Sequence, residues 1–148
     1  MTISIERVSH VQMDIGYGTW TPALQFGGAA TGITYSRQNG IYVKHGRLVK
    51  VTGEIVLTSK GSASGNASIS GLPYAEQSFG DSTTQSCGLC STYTGMSLPN
   101  SGHPIGLLVT GSQLYLLTYS TAESGNVTQA YFGDTTRLRF DASYIVAE

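Results

Sequence analysis

The sequence predicts an all-β protein, and three observations carry that prediction. Glycine, serine and threonine, at 19, 18 and 17 residues, make up 54 of the 148 positions, so few windows could hold the roughly 10–12 residues of an average helix. Apolar and polar residues alternate along most of the Gly-free stretches, the period of a strand with one buried face. The apolar runs are short and recur at roughly 8–12-residue spacing between turn signals, which points to eight to ten strands in a sandwich or barrel.

Taken in order, residues 3–15 are the one ambiguous stretch. Val8, Val11 and Ile15 fit a helical face, while Val11, Met13 and Ile15 fit alternation equally well. Trp20, Leu24 and Phe26 then form an apolar face that makes Trp20 a core residue. Pro22 interrupts this face and cannot donate to a ladder, so it predicts an edge strand or a bulge. Ile41 and Val43 alternate with Tyr42 and Lys44 before the turn His45-Gly46-Arg47. Val49, Val51, Ile55 and Leu57 resume the apolar face opposite Lys50, Thr52 and Glu54, which reads as a hairpin. A polar, Gly-rich loop at 59–66 gives way to an inward face of Ala67, Ile69 and Leu72, and stretches 76–85 and 97–104 read as exposed loops. Residues 112–124 lack Gly and Pro but contain Leu114-Tyr115-Leu116-Leu117-Thr118-Tyr119, a strand-forming run. It pairs with Ile105–Thr110 across Gly111-Ser112 in a second hairpin. The last strand is the clearest: Leu138, Phe140, Ala142, Tyr144 and Val146 alternate with Arg137, Arg139, Asp141, Ser143 and Ile145. No repeat period emerges.

Composition excludes several classes. Charged residues are 11% of the chain, against roughly a quarter in an ordinary domain. A formal net charge of −1 offers no basic stripe, so no nucleic-acid partner is expected. A hydrophobic fraction of 40% argues against disorder. No run approaches the ~18 apolar residues of a membrane span, so no membrane insertion is expected. Glu6, Arg7 and Asp14 make the N-terminal segment unlike a signal peptide. The length suits one domain.

Three motifs test poorly as chemistry. Cys87-Gly88-Leu89-Cys90 has redox spacing, but such a pair needs a helix N-terminus to lower its thiolate pKa, and two Cys cannot complete a zinc site. Residues three apart on a strand face opposite sides, so free thiols are expected. Phe79-Gly80-Asp81-Ser82 looks like the nucleophile block of SGNH-type esterases, yet no His follows His103 to activate Ser82. A glycosidase needs two carboxylates about 5–10 Å apart, and nothing in the sequence pairs Asp81, Glu123, Asp134 or Asp141. His10, His45 and His103 lack ligand spacing, and Gly27-Gly28 precedes no helix. The expectation is therefore a non-enzyme with no catalytic residues, no cofactor and no metal.

A family resemblance is carried by several blocks in order. Gly18-Thr19-Trp20-Thr21-Pro22 opens it, followed by Leu24-Gln25-Phe26-Gly27-Gly28. It continues through Tyr35-Ser36-Arg37-Gln38-Asn39-Gly40-Ile41-Tyr42-Val43-Lys44-His45-Gly46-Arg47 and Val51-Thr52-Gly53-Glu54-Ile55. Ser70-Gly71-Leu72-Pro73-Tyr74 and Leu138-Arg139-Phe140-Asp141-Ala142-Ser143-Tyr144 complete it. This resembles the C-terminal domain of bacteriophage tail fibres and tailspikes, well over residues 16–75 and more weakly over 105–146. The resemblance implies a single antiparallel β-sandwich of jelly-roll type, assembled as a homotrimer at the virion's fibre or tailspike tip. It implies residues 1–17 as a connecting segment, 18–148 as the tip domain, and an upstream fibre or tailspike segment as a partner. Met1 then marks either a cut from that segment or an internal start. The implied role is recognition of host cell-surface polysaccharide and trimerisation, or trimer capping alone.

Sugar sites combine an aromatic face with planar polar groups. Aromatics outside the alternating core pattern are Tyr93, Tyr115, Tyr119 and Tyr131, and their polar neighbours are Asp81, Gln85, Asn100, His103 and Asn126. The competing reading of each Tyr is a core or interface residue whose hydroxyl is hydrogen-bonded at the edge. Residues 76–104 match nothing in the family and are the expected seat of specificity.

Overall fold

The computed structural model describes residues 14–78, 87–100, 102–120 and 123–147. The chain is all-β and antiparallel. Its strands are β1 (Ile15–Trp20), β2 (Ala23–Phe26), β3 (Ile33–His45), β4 (Leu48–Lys60), β5 (Ala67–Ser70), β6 (Cys87–Met96), β7 (Ile105–Thr110), β8 (Gln113–Tyr119), β9 (Ser124–Asn126) and β10 (Phe132–Ile145). Hydrogen bonds run in the order β1-β3-β4-β10-β6-β7-β8-β5-β2, with β9 paired to β8.

Two facts show that this sheet curls over itself into a sandwich-like fold. β1 and β2 lie at opposite ends of the order, yet only Thr21 and Pro22 separate them in the chain. Phe26 of β2 also meets Phe132 of β10 edge-to-face at 4.9 Å, across the interior. Pro22 thus turns the corner between two edge strands, where its missing N–H leaves no gap in a ladder. The enclosed core holds Trp20, Leu24, Phe26, Val49, Val51, Ile55, Leu57, Ile69, Leu114, Leu116, Leu138, Phe140 and Tyr144, all buried.

Both anticipated hairpins form. Thr110 pairs with Gln113 across Gly111-Ser112, and His45 with Leu48 across Gly46-Arg47. Gly111 (φ +59°) and Gly46 (φ +60°) supply the left-handed first position that such two-residue turns require. The β3–β4 hairpin is much longer than its alternation suggested, running from Ile33 to Lys60 with register shifts around Tyr35. One expectation is corrected here. Ile41 and Val43 do not join the face of Val49 and Val51 but point outward, because Tyr42 rather than Val43 is paired with Val51. Residue 15 is a strand residue, and the rest of the ambiguous 3–15 stretch lies mostly outside the described residues. Strand β1 begins two residues before position 17.

Candidate ligand-binding face

The outward side chains of β1, β3, β4, β10 and β6 form rows across one face, set by register. Near the β3–β4 turn, Ile15 is paired with His45, which is paired with Leu48, then Ile145. The next row is Tyr17, Val43, Lys50 and Ser143, followed by Thr19, Ile41, Thr52, Asp141 and Leu89. Two more rows follow: Asn39, Glu54, Arg139 and Thr92, then Arg37, Val56, Arg137 and Thr94. The face therefore grades from apolar to cationic along the strands. Ile15, Tyr17, Ile41, Val43 and Leu48 are large exposed hydrophobics, Tyr17 at 82%.

Glu54 organises the cationic end. Arg37 donates to its Oε2 at 2.9 Å, while the Nε atoms of Arg137 (2.7 Å) and Arg139 (3.0 Å) both donate to Oε1. A second Arg137 nitrogen lies 2.6 Å from Oε1. The Arg37 bond, with those of Arg139 and Arg137, outweighs partial desolvation and holds the carboxyl down at about 2. Its side chain is 17% exposed, whereas those of the three arginines are 38–51% exposed. Lys50 approaches Asp141 at 3.9 Å.

Beneath this face, two glycines let the core press close. Gly40 is paired with Gly53, and Gly53 with Phe140. A Cβ on Gly40 would stand 2.6 Å from Trp20 Cδ1, and one on Gly53 would stand 2.5 Å from Phe140 Cζ. The Trp20 Nε1–H reaches two carbonyls, Ile41 O at 3.2 Å and Thr52 O at 3.1 Å, and its ring meets Phe140 edge-to-face at 6.1 Å. Above the glycine pair lies an open depression of about 450 Å³, lined by Asn39, Ile41, Thr52, Glu54, Ser91, Arg139 and Asp141 among others. Ser91 is the extra residue of a β6 bulge, and its hydroxyl donates to Arg139 O at 3.2 Å. A smaller hollow of about 320 Å³ sits over Val56, between Arg37 and Arg137.

A second groove adjoins the first, sharing Ser91. It is lined by Leu89, Thr92, Tyr93, His103 and Pro104. Several sequence-predicted residues meet here. Tyr93 packs against the core, and its hydroxyl donates to His103 O at 3.0 Å. The Asn100 amide donates to Tyr119 O at 2.8 Å, and the Tyr119 ring lies over Gly106. Tyr93, Asn100, His103 and Tyr119 thus share one end of the molecule. Tyr115 is apart from them, half-buried in mid-β8 between Ser68 and Leu108. Tyr131 packs on the core in a short 3₁₀ turn, and Asn126 is exposed on β9. Asp81 and Gln85, with the Gly80-Asp81-Ser82 block, lie outside the described residues. Cys87 is exposed and Cys90 buried, both free thiols on opposite faces of β6, and burial pushes the Cys90 thiol up to about 11. Among the described residues, no three His, Cys, Asp or Glu side chains are grouped to hold a metal.

No protein-family model and no curated protein sequence matches the chain. Its backbone matches the crystal structure of the Dettilon tailspike protein (gp208) with a TM-score of 0.72 at 17% identity. The chain shares its fold with a tailspike segment. The match covers 88% of this chain but only 24% of the tailspike, so the likeness concerns about a quarter of that protein's length.

The Glu54–arginine cluster was not foreseen as a site. Alternation put Glu54, Arg137 and Arg139 on polar strand faces, but their meeting depends on a β4–β10 register spanning more than 80 residues of sequence.

Proposed function

We propose that this chain is a non-enzymatic domain of a phage or prophage tail fibre or tailspike, which recognises host-surface carbohydrate and assembles as a homotrimer on the virion tail. The observation that carries this reading is a tailspike-like fold whose broad outer sheet face, among the described residues, exposes large hydrophobics at one end and polar groups at the other. An exposed apolar cluster is costly in a monomer and marks an interaction surface. The rows of Ile15, Tyr17, Val43 and Leu48 end at β1, an edge strand, where copies can meet and close a threefold ring. The open depressions beside them carry amide, hydroxyl and carboxylate groups suited to sugar hydroxyls. An upstream fibre or tailspike segment would present the domain to the host.

A second reading, a purely structural cap of a polysaccharide-degrading tailspike, draws on the same apolar rows. One experiment separates the two: sedimentation of the protein followed by a glycan array of bacterial surface polysaccharides. A trimer that binds one class of glycan supports recognition, and a trimer that binds none supports the cap. A monomer in solution, or cleavage of a polysaccharide by this chain alone, overturns both.

A further inference from the structure

Three guanidiniums gather around one carboxylate at the far end of the outer face. The patch holds three cations and one anion, inside a chain whose formal net charge is −1. Glu54 Oε1 already accepts from two arginines and Oε2 from the third. Each guanidinium carries five donors, so most of those on Arg37 and Arg139 face no carboxylate among the described residues. Two hollows flank the cluster, one on either side of the row that bears Glu54. Their rims offer Asn39, Thr52, Ser36 and Ser91 to hydroxyls and exposed Ile41 to an apolar ring face. An uncompensated guanidinium beside a hollow is the geometry that receives an oxyanion bidentately.

We propose that the outer face of β3, β4 and β10 binds an acidic saccharide, with Arg37, Arg137 and Arg139 receiving its carboxylate while the adjoining hollows take the rings. The assignment rests on the carbohydrate reading above and names the ligand class. A nucleic acid fits less well, because the cationic surface is one compact patch bounded by Asp141 and an apolar stretch, not a stripe that follows a phosphate backbone. Glu54 holds the three like charges together in the absence of ligand and competes with a bound carboxylate for their donors, so its loss destabilises the fold without weakening binding.

The test is an array of bacterial capsular oligosaccharides containing uronic or sialic acids, each printed beside its carboxyl-reduced counterpart, with a single-stranded DNA oligomer as a further arm. The expected result is binding to carboxylate-bearing members that weakens as salt rises. Carboxyl reduction and Arg139→Gln should each weaken it roughly tenfold or more, a factor matched to loss of one charge-assisted contact. Glu54→Gln should retain or tighten binding while lowering the melting temperature. A merely structural cluster would instead lose stability in both variants with no change in ligand preference. Equal binding of the native and carboxyl-reduced sugars overturns the carboxylate assignment and leaves carbohydrate recognition standing. Tighter binding to DNA than to any saccharide overturns the ligand class, and no binding to any arm overturns this proposal together with the reading it rests on.

Discussion

The indole of Trp20 occupies the space that a side chain on Gly40 would fill. The ring lies flat enough on β3 for a Cβ there to stand 2.6 Å from its Cδ1, and its Nε1–H is held by carbonyls on β3 and β4. Gly40→Ala must therefore displace the indole or the strand, at a cost of about 1–3 kcal/mol for an overpacked core. Gly16→Ala is the control, because its Cβ would meet Lys44 Cβ at an ordinary 3.7 Å. Urea denaturation of the two variants should show a clear loss for the first and little for the second.

Acid should weaken the fold through Glu54. Its folded-state pKa, lowered from 4.5 to about 2 chiefly by Arg37, means the native state binds this proton less readily than the unfolded chain. The stabilisation is thus fully present above about pH 4.5 and is lost as pH falls through about 2. Wild type should lose stability across that window more steeply than Glu54→Gln. Parallel pH slopes for the two proteins would remove Glu54 from the account.

Thr136 sits in the long bulge of β10 that faces Gly95. Its buried hydroxyl accepts the Gly133 N–H at 3.0 Å and lies 2.8 and 2.9 Å from the carbonyls of Gly95 and Gly133. Thr136→Val keeps the shape but removes the part-buried hydrogen bonds to Gly133 and Gly95, which costs about 1 kcal/mol. A thermal melt indistinguishable from wild type would show that this hydroxyl does not hold the bulge.

The two cysteines should behave as separate thiols. Exposed Cys87 is expected to react with a thiol reagent in the native protein, while Cys90, buried and held near pKa 11, reacts only on unfolding. Labelling of both at equal rates in the native state would contradict their placement on opposite faces of β6.

Tyr17→Glu places a charge in the centre of the exposed apolar rows. It should dissociate the proposed trimer in sedimentation while circular dichroism stays that of a β protein, since Tyr17 contributes nothing to the core. An unchanged sedimentation coefficient would place the interface elsewhere.

How much of this was legible in the sequence depended on whether a strand has one buried face or two apolar ones. β10 and the β7–β8 hairpin were readable because Leu138, Phe140, Ala142 and Tyr144, like Leu114 and Leu116, alternate with polar or half-buried neighbours. Ile41 and Val43 misled because Tyr42 between them is also apolar, so alternation alone could not say which set faces in. That choice is made by pairing with β4. The same limit hid the candidate site. Arg37, Glu54, Arg137 and Arg139 lie on three strands, and only register brings them together. Tyr93, a candidate sugar-binding aromatic in the sequence, has its hydroxyl engaged by His103 O and its ring by the core.

In the proposed arrangement, assembly and ligand divide one sheet face between them. A crystal structure grown with the acidic oligosaccharide that binds most tightly tests it directly. The expected result is copies meeting through the rows of Ile15 and Tyr17, with the sugar carboxylate against Arg37, Arg137 and Arg139. A sugar seated away from β3, β4 and β10, or Tyr17 left open to solvent in an assembly formed elsewhere, would contradict it.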